Sequence, residues 1–448
     1  MIRRPALAIS ALALVASALA SGAGASPVPG RDQPPQTAFE ESNGESWTSH
    51  KQELEFLAAV DRMSKRVEVD VIGETQRGRP LHLVRLGYPR PDRLASSAEP
   101  TTLFVCSQHG NEPAGREACL KLLRDLAFTN DGGLVDQLRK QRILFVPSAN
   151  PDGSAANTRE NSKGIDINRD HLNLVSPEAY AVSTVVAEWE PEMVLDLHEY
   201  GPSLPPVYDD ELLYLWPRNL NVDDQVHDLA KAFAEEHVEP KAEEAGYRAD
   251  EYGQYELADQ DIHQSAGDGD EGIARNAMGL RHSLGILIES AVTEDPRNGP
   301  QELTSEAEVN LRRVDSHMVV SNIALDFMRQ RGGDIDIATA AARELAVREG
   351  RNQAGAVYFG GADNQEPAEE DVLEPPPCGY AVGKDQMKTV GDTLVGLGLK
   401  FDVDPKTGAG WVPMAQPLKT LIPLLLDERG TRHSVAAGPI SNCAVASR

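Results

Sequence analysis

Basic residues are few in this 448-residue chain, because 43 Lys and Arg stand against 70 Asp and Glu, for a formal net charge of −27 at pH 7. Nucleic acids and anionic membrane surfaces repel a chain this acidic, so the composition argues against both as general partners. Long apolar runs are also lacking after Ala20. A membrane-spanning helix needs roughly 20 apolar residues, so no span is expected there.

Cysteine is scarce as well, with only four residues, Cys106, Cys119, Cys378 and Cys443. An even number permits disulfides in an oxidising compartment. Cys378 and Cys443 both lie in loop-like sequence near the C-terminus, and we expect them to pair. Cys106 ends an apolar run and Cys119 lies in a helical pattern, which favours two buried free thiols.

The N-terminus has the pattern of an export signal. Arg3 and Arg4 precede an apolar run over residues 6–20, and small residues follow up to Ser26. This order is typical of a cleaved secretory signal, which we place at residues 1–25. Residues 26–45 then combine Pro, Gly, Ser and charge without periodicity, which predicts a flexible leader. The chain is therefore expected to be secreted.

The middle of the chain alternates apolar runs with helical stretches. Alternating residues around a Gly/Pro-containing turn predict a β-hairpin over residues 67–86. Four continuous apolar runs then cover residues 103–106, 143–146, 193–197 and 284–288. This pattern predicts an α/β domain over residues 46–335, with a mixed, mainly parallel, twisted sheet and helices on both faces.

After residue 304 the sequence pattern changes from alternating apolar runs and helical stretches to one long helical stretch and then a loop-rich region. A helical stretch over residues 304–331 is followed by Gly332 and Gly333, and several prolines come later in an acidic context. Gly-rich turns and short apolar runs then predict a small β-rich C-terminal module over residues 345–448, to which the sequence assigns no chemistry. The proline inside the apolar run at 421–426 favours an edge strand there.

Ligands of such sheets bind beyond the C-terminal ends of the strands. His109 and Glu112 follow the first apolar run, three positions apart at a helix start, so their side chains share one face. His198 follows the third run. Two imidazoles and a carboxylate are a ligand set that a catalytic zinc uses, with one position left for water. We therefore predict one Zn²⁺ per chain; taken alone, His109 and Glu112 would also fit a helix-capping acid beside a surface histidine.

Other polar residues follow the same strand ends. Glu289 closes the fourth apolar run, where it would take a proton from a zinc-activated water unless it simply faces solvent. Arg159, Asn168 and Arg169 cluster in a Gly- and Asn-rich loop. The planar fork of arginine suits a carboxylate, so we favour a clamp for a substrate carboxylate over a set of surface ion pairs.

Taken in order, these elements resemble the zinc metallocarboxypeptidase family, which includes the digestive carboxypeptidases, in a secreted bacterial form. The matching residues are Gly78-Arg79-Pro80, His109-Gly110-Asn111-Glu112, Asn150-Pro151-Asp152-Gly153, Asp166-Ile167-Asn168-Arg169, His198 and Glu289. The resemblance implies the zinc carboxypeptidase-like fold and an exopeptidase that hydrolyses the C-terminal peptide bond of peptides.

The resemblance also implies roles for single residues. His109, Glu112 and His198 would bind zinc, Glu289 would be the general base, and Arg159 would stabilise the oxyanion.

Three further residues would recognise the substrate, and one would act behind the metal. Asn168 and Arg169 would hold the free C-terminal carboxylate of a peptide, while Asp166 would orient His109. Arg275 would line the specificity pocket, where it would favour an acidic side chain unless it pairs with nearby acids.

The family's mobile tyrosine has no counterpart between Tyr255 and Glu289, which leaves Tyr252 or Tyr255 as open candidates. Two alternative functions also stay open. One is a zinc-dependent N-acyl amino-acid deacylase of related fold, and the other is a non-catalytic peptide-binding module. The second would require a missing ligand or base, and here all of them are present.

Overall fold

The computed structural model describes residues 33–87, 99–201, 210–258, 261–265, 269–292 and 305–443, with the backbone alone for 254–258 and 261–265. The predicted signal peptide and the first part of the predicted leader lie outside the described residues. From Pro35 onward the chain forms one compact unit. Among the described helices, none is both long enough and apolar enough to cross a bilayer.

The strands of the described chain are numbered in chain order. They are β1 Val67–Glu74, β2 Pro80–Leu86, β3 Thr101–Cys106, β4 Arg142–Val146, β5 Met193–Tyr200, β6 Leu212–Leu215, β7 Ala249–Glu251, β8 Gln254–Ala258, β9 Asp261–Ser265, β10 Leu284–Ala291, β11 Val357–Tyr358, β12 Val372–Leu373, β13 Gly379–Val382, β14 Asp402–Val403, β15 Gly410–Pro413 and β16 Gly438–Ile440.

The α-helices are numbered in the same way, and short 3₁₀ turns at Ile167–Arg169 and Glu369–Asp371 and a π turn at Ala234–Val238 accompany them. They are α1 Ala38–Glu41, α2 His50–Met63, α3 Ala114–Phe128, α4 Gly132–Gln137, α5 Pro151–Ala156, α6 Pro177–Trp189, α7 Asp224–Phe233, α8 Glu239–Glu244, α9 Ala274–Gly279, α10 Glu306–Asn352, α11 Lys384–Leu397 and α12 Leu421–Leu426.

An eight-stranded sheet in the order β1-β2-β4-β3-β5-β10-β6-β7 carries the fold. The four predicted apolar runs form β3, β4, β5 and β10, which are neighbours in this sheet and all parallel. The β1–β2 hairpin, β2–β4 and β10–β6 are antiparallel, and β6–β7 is parallel. The prediction of a mixed, mainly parallel sheet is confirmed.

Helices cover both faces of the sheet. Successive side chains of a strand point to opposite faces, and on β3 Phe104 belongs to one core cluster while Leu103 and Val105 belong to another. The first cluster includes buried residues of α3 and α10, and the second includes residues of α6. Burial on both faces explains why these strands read as continuous apolar runs rather than as alternating ones.

The helix predicted to end near residue 331 continues to Asn352. Two glycines in a helix interior cost roughly 1 kcal/mol each relative to alanine. Gly332 is nevertheless buried against Pro100, and the helix goes on burying Ile335, Ala338 and Ala342 beyond it. This packing outweighs the local penalty. The single helix α10 therefore crosses the predicted boundary between the 46–335 domain and the 345–448 module.

The C-terminal region contains the expected small β-sheet, in the antiparallel order β14-β15-β13-β16, together with helices α11 and α12. The prediction of an edge strand at 421–426 is wrong, because this run forms the buried helix α12. Pro423 lies in its first turn, where a missing N–H leaves no hydrogen bond unmade. The region packs on the core through α6, where the Ser183 hydroxyl donates to the Gly396 carbonyl at 2.8 Å.

An acidic residue, Asp363, also ties the C-terminal region to the large sheet. Asp363 accepts hydrogen bonds from Trp216 Nε1 at 2.8 Å and from the Arg218 guanidinium, and His227 Nε2 lies 3.0 Å away. Burial alone would raise the pKa of Asp363, but these three partners outweigh it and lower the pKa to about 2. Asp363 is therefore ionised wherever the protein is folded near neutral pH.

Two predictions about the covalent and N-terminal structure need correction, and one is confirmed. Cys378 and Cys443 form a disulfide as expected. Cys106 and Cys119 are bonded to each other rather than free, because α3 packs over the end of β3 and brings the two Cα atoms to 6.9 Å. The leader is structured near its end, where α1 begins in a capping box and buries Phe39 against Trp47.

Candidate metal centre and active site

The parallel strands deliver their C-terminal ends to one edge of the sheet. In the register of β5 and β10, Glu289 lies beside His198, so both side chains leave the sheet on the same side. Cys106, the last residue of β3, pairs with Leu197. The loop that carries His109 and Glu112 therefore starts next to His198, although these residues are far apart in sequence.

Three of the predicted side chains converge on one point. His109 Nδ1 lies 2.8 Å from Glu112 Oε1, His198 Nδ1 lies 2.9 Å from Glu112 Oε2, and the two Nδ1 atoms are 3.0 Å apart. All three side chains are buried. One ligand atom from each of the three side chains lies within 4.8 Å of the other two, so the three residues can bind one metal ion together.

The outer nitrogens of both imidazoles face carboxylates. Asp166 Oδ1 lies 3.2 Å from His109 Nε2, and Asp196 Oδ2 lies 2.8 Å from His198 Nε2. A carboxylate at Nε2 holds the proton there and leaves the Nδ1 lone pair directed inward. Two inward Nδ1 atoms and one carboxylate are a donor set that fits Zn²⁺.

The chain of polar groups behind His198 was not predicted. Asp196 Oδ1 also accepts from Gln108 Nε2 at 2.6 Å, and Gln108 Oε1 lies 2.6 Å from His171 Nε2. Asp196 and His198 are two positions apart on β5, so they share a face of the strand. That Asp-x-His spacing in an otherwise apolar strand is the signal that could have revealed Asp196.

The loop before Glu112 is braced by the turn at the start of α5. Asn150 Nδ2 donates to the carbonyls of Gln108 and Arg159, at 3.0 and 3.2 Å, while Asn150 Oδ1 caps the helix at Gly153. A Cβ on Gly110 would lie 2.0 Å from the Gly153 carbonyl carbon, so only glycine permits this approach. Most of the Asn-Pro-Asp-Gly motif thus supports the metal loop.

The first hairpin supports the same region. Arg79 Nη1 donates to Asp152 Oδ1, and the Arg77 backbone N–H donates to Asp152 Oδ2 at 3.2 Å. Ser162 reaches the same carboxylate at 2.8 Å, in the loop that follows Arg159. Asp152 therefore joins the hairpin turn, helix α5 and the arginine loop into one frame.

The two acidic residues of the centre differ in electrostatic environment. Burial would raise the pKa of Glu112, but hydrogen bonds with His109 and His198 outweigh it and lower the pKa to about 2. For Glu289 burial dominates and raises the pKa to about 8, although His198 opposes the shift. Glu112 is thus held as an anion, while Glu289 has an environment in which it can both take and give a proton.

A cavity of about 630 Å³ opens over this centre and collects nearly all predicted substrate contacts. Arg159 lies at its rim, with Nη1 3.1 Å from His109 Nδ1 and Nε 3.1 Å from Asp166 Oδ2. Arg169 and the buried Arg275 line the wall. The predicted set is therefore in one place.

Asn168 also borders the cavity, but its side chain serves the protein itself. Its Nδ2 donates to Asp196 Oδ2 at 3.4 Å, next to His198, and its Oδ1 accepts from the Ala274 backbone N–H at 2.7 Å. Asn168 thereby links the carboxylate partner of a candidate metal ligand to the start of α9, the helix that carries Arg275.

The zinc carboxypeptidase family model matches residues 53–289, just over half of the chain, and this span contains the whole centre. The chain belongs to the zinc carboxypeptidase family. The region also resembles Carboxypeptidase 2 of Trichophyton equinum, with 33% identity over 189 residues, 41% of this chain and 35% of that protein. It resembles Carboxypeptidase E of Caenorhabditis elegans at 33% identity over 120 residues, 23% of this chain and 25% of that protein.

The match to the Trichophyton equinum protein thus covers about a third of that relative's length. Among solved structures, a metallo-carboxypeptidase from Burkholderia cenocepacia aligns over 62% of this chain and 69% of its own, with a TM-score of 0.49 and 20% identity.

In this member of the zinc carboxypeptidase family, the cavity also holds residues that the sequence did not assign. Tyr252, which follows β7, lines it together with Glu289. Burial, with a further contribution from Glu289, raises the pKa of Tyr252. Of the two open tyrosine candidates, Tyr252 is therefore at the site; the side chain of Tyr255 lies outside the described part of the structure.

Glu199 and Arg313 also line the cavity. The Arg313 guanidinium lies 2.6 Å from Glu199 Oε1, and Glu199 Oε2 accepts from the Ala114 backbone N–H at the start of α3. The pair comes from β5 and α10, which are separated by more than a hundred residues, so no local pattern in the sequence reveals it.

Proposed function

We propose that this chain is a secreted, zinc-dependent exopeptidase that hydrolyses the C-terminal peptide bond of peptides. The observation that carries the proposal is the convergence of His109, Glu112 and His198, with Glu289 at the adjacent register position and arginines on the wall of the same cavity. A metal-binding group, a base and carboxylate-binding groups within one cavity are what peptide hydrolysis at a free C-terminus requires.

His109, Glu112 and His198 would hold one Zn²⁺ per chain. When bound, the metal lowers the pKa of water and polarises the scissile carbonyl. Asp166 and Asp196 keep the two imidazoles in the orientation that binding needs.

Glu289 acts as the proton carrier. Its Oε2 is buried and has no hydrogen-bond partner among the described residues, so it is available to substrate and water. As a water oxygen bonds to the scissile carbon, Glu289 accepts the proton; as the carbon–nitrogen bond breaks, Glu289 returns that proton to the leaving amine. A pKa raised by burial suits a group that performs both steps.

Arg159 stabilises the negative charge that develops on the carbonyl oxygen. Its guanidinium is held by Asp166 on one side, with Nη2 3.0 Å from Oδ2, and leaves Nη1 at the metal centre. A cation that is already positioned there needs little rearrangement in the transition state.

Arg169 binds the free C-terminal carboxylate of the substrate, Asn168 positions the adjoining wall of the cavity through its bond to the Ala274 backbone N–H, and Arg275 selects the side chain that is removed. Arg275 is 3% exposed. A guanidinium at the wall of the cavity favours a side chain that brings a carboxylate, because its planar fork matches a carboxylate with two parallel hydrogen bonds. We therefore expect a preference for C-terminal Glu or Asp.

Secretion is supported by the two disulfides, since such bonds persist in oxidising compartments. Expression of the full chain in a secreting host and N-terminal sequencing of the exported protein tests this part. Cleavage near Ala20 or Ala25 is expected.

The activity is tested with the zinc-loaded protein and peptides that differ only in their last residue, Glu, Leu or Lys, followed by mass spectrometry. Release of single C-terminal residues that stops with a chelator and returns with zinc supports the proposal. C-terminal amides of the same peptides are the control and should resist cleavage. Hydrolysis of N-acyl amino acids without cleavage of peptides would indicate the deacylase, and binding without turnover would indicate the non-catalytic module.

A further inference from the structure

We infer that Arg432, in the C-terminal region, is a positioning residue that holds the two carboxylate-recognition segments of the cavity together. This inference rests on the proposed function of the cavity. It assigns to the 345–448 region a task at the active site that the sequence did not indicate.

The two segments concerned are the turn that ends in Arg169 and the strip before α9 that leads to Arg275. They run side by side, because the His171 backbone N–H donates to the Gly272 carbonyl at 3.1 Å. A Cβ on Gly272 would lie 2.6 Å from the Arg169 carbonyl oxygen. The contact is therefore so close that a small displacement of either segment would move both recognition arginines.

Arg432 spans this seam from outside. Its Nη1 donates to the Arg169 carbonyl oxygen at 3.1 Å, and its Nη2 pairs with the carboxylate of Asp270. Asp270 in turn accepts from the Gly272 backbone N–H at 2.7 Å, and its carbonyl accepts from Asn276 Nδ2 at 2.9 Å. One guanidinium thus contacts the segment of Arg169 and the segment that leads to Arg275 at the same time.

The turn that carries Arg432 is itself anchored to the catalytic part of the fold. Asn173 Nδ2 donates to the Arg432 carbonyl at 2.9 Å and to Ser434 Oγ at 2.8 Å. The main chain from which the Arg432 side chain extends is therefore anchored to the catalytic part of the fold. A side chain with a single charged nitrogen could reach the carbonyl or the carboxylate, but the planar fork of arginine reaches both.

Arg432 lies outside the set of residues that line the cavity. It therefore acts through Arg169 and Arg275. Loss of Arg432 should change how well the cavity recognises a free carboxylate, while the metal centre and Glu289 remain in place.

The test uses the zinc-loaded full chain with Glu289→Gln, in which binding is measured without turnover, and a peptide ending in Glu as the probe. Calorimetry gives the dissociation constant of the free acid and of its C-terminal amide. Arg432→Ala should weaken binding of the free acid by about five- to twentyfold and leave the amide within about twofold, because one guanidinium contact is lost. Arg432→Lys should give a dissociation constant for the free acid between those of the proteins with Arg432 and with Ala at this position.

Arg331→Ala is the matched control, since Arg331 forms an exposed arginine–aspartate pair with Asp334 on α10. It should leave both dissociation constants unchanged. The same substitutions in the chain with Glu289 should show the loss in KM, with kcat within about twofold. Zinc content and thermal unfolding of each variant show whether it is folded.

An equal loss for acid and amide in a folded Arg432 variant would overturn the inference, as would no loss at all. If the protein with Arg432 intact does not distinguish acid from amide, the proposed function fails at its own step, before any effect of Arg432 is considered.

Discussion

Replacement of Asp196 by Asn tests whether the buried polar chain behind His198 sets the zinc affinity. Asp196 is 1% exposed, its Oδ2 lies 2.8 Å from His198 Nε2, and its Oδ1 accepts from Gln108 Nε2. Asparagine has nearly the same shape and still offers one oxygen acceptor. The substitution therefore removes the negative charge without opening a cavity.

The expected magnitude follows from the kind of hydrogen bond that is lost. A bond to a charged acceptor contributes about 1.5–3 kcal/mol, and a neutral one about 0.5–1.5 kcal/mol. The difference of roughly 1–2 kcal/mol corresponds to a zinc affinity about five- to thirtyfold lower, since 1.4 kcal/mol is tenfold. This agrees with the 10- to 100-fold range typical of groups that orient metal-binding histidines.

The zinc affinity is measured by competition with a chromophoric chelator at pH 7. Thermal unfolding of the apoprotein and of the zinc-loaded protein supplies a second measurement. At a fixed free zinc concentration above both dissociation constants, a tenfold weaker affinity reduces the zinc-dependent stabilisation by about 1.4 kcal/mol.

Asp385→Asn is the control, because Asp385 pairs with Lys388 on the exposed side of α11. It should leave the zinc affinity unchanged. A folded Asp196→Asn protein whose zinc affinity stays within twofold of the original would refute the reasoning. The hydrogen-bonded residues Asp196, Gln108 and His171 would then fill the core without orienting His198.

Three further predictions follow from the same structure. Glu289→Gln should keep zinc and lose roughly three orders of magnitude or more in kcat, because the group that moves the proton is gone. The rate of release of the last residue from a peptide with a free C-terminus measures this, and retained turnover would mean that another residue is the base. Changing both Cys106 and Cys119 to Ser should cost about 2–4 kcal/mol in urea unfolding and also weaken zinc binding, since the closed loop contains two candidate ligands, whereas the double Ser variant of the Cys378 bridge should leave zinc binding unchanged. Asp363 has a folded pKa below its unfolded value, so its contribution to stability is present above about pH 4 and lost as the pH falls toward 2; Asp363→Asn should flatten the acid limb of stability measured by chemical unfolding, and an unchanged limb would contradict this.

The fold could be predicted from the sequence where local patterns coincide with burial. The runs that became β3, β4, β5 and β10 are apolar because both faces of each strand are covered, and this property is visible without coordinates. The hairpin could be predicted because apolar and polar residues alternate in the two segments on either side of its turn. The errors fall where a distant contact overrides a local preference, as at Gly332, which the packing against Pro100 keeps within a helix.

The C-terminal region shows the same limit. The run at 421–426 carries a proline and reads as an edge strand, but six consecutive buried residues make it a short helix. Cys106 and Cys119 read as free thiols, because nothing in either local pattern says that α3 lies over the end of β3. Each of these features depends on which elements become neighbours, and a single sequence does not state that.

For the candidate site, the residue types and their order along the chain came from the sequence. A histidine and a glutamate three apart, a histidine and a glutamate at the ends of two apolar strands, and arginines in a loop are chemical statements that local spacing can make, although His109 and Glu112 lie in the turn before α3 and not on a helix as predicted. The sequence by itself therefore determined the ligand chemistry, the strand ends that present it and the family.

Only the tertiary structure decided what surrounds these groups. It placed Asp196 behind His198, Tyr252 in the cavity and Arg432 across the seam between two recognition segments. These contacts join residues from separate elements. The strength of such hydrogen bonds changes when the donor–acceptor distance changes by a few tenths of an ångström. Such distances are set by the packing of the whole chain, which is why spacing along the sequence could name the reacting groups but not the ones that orient them.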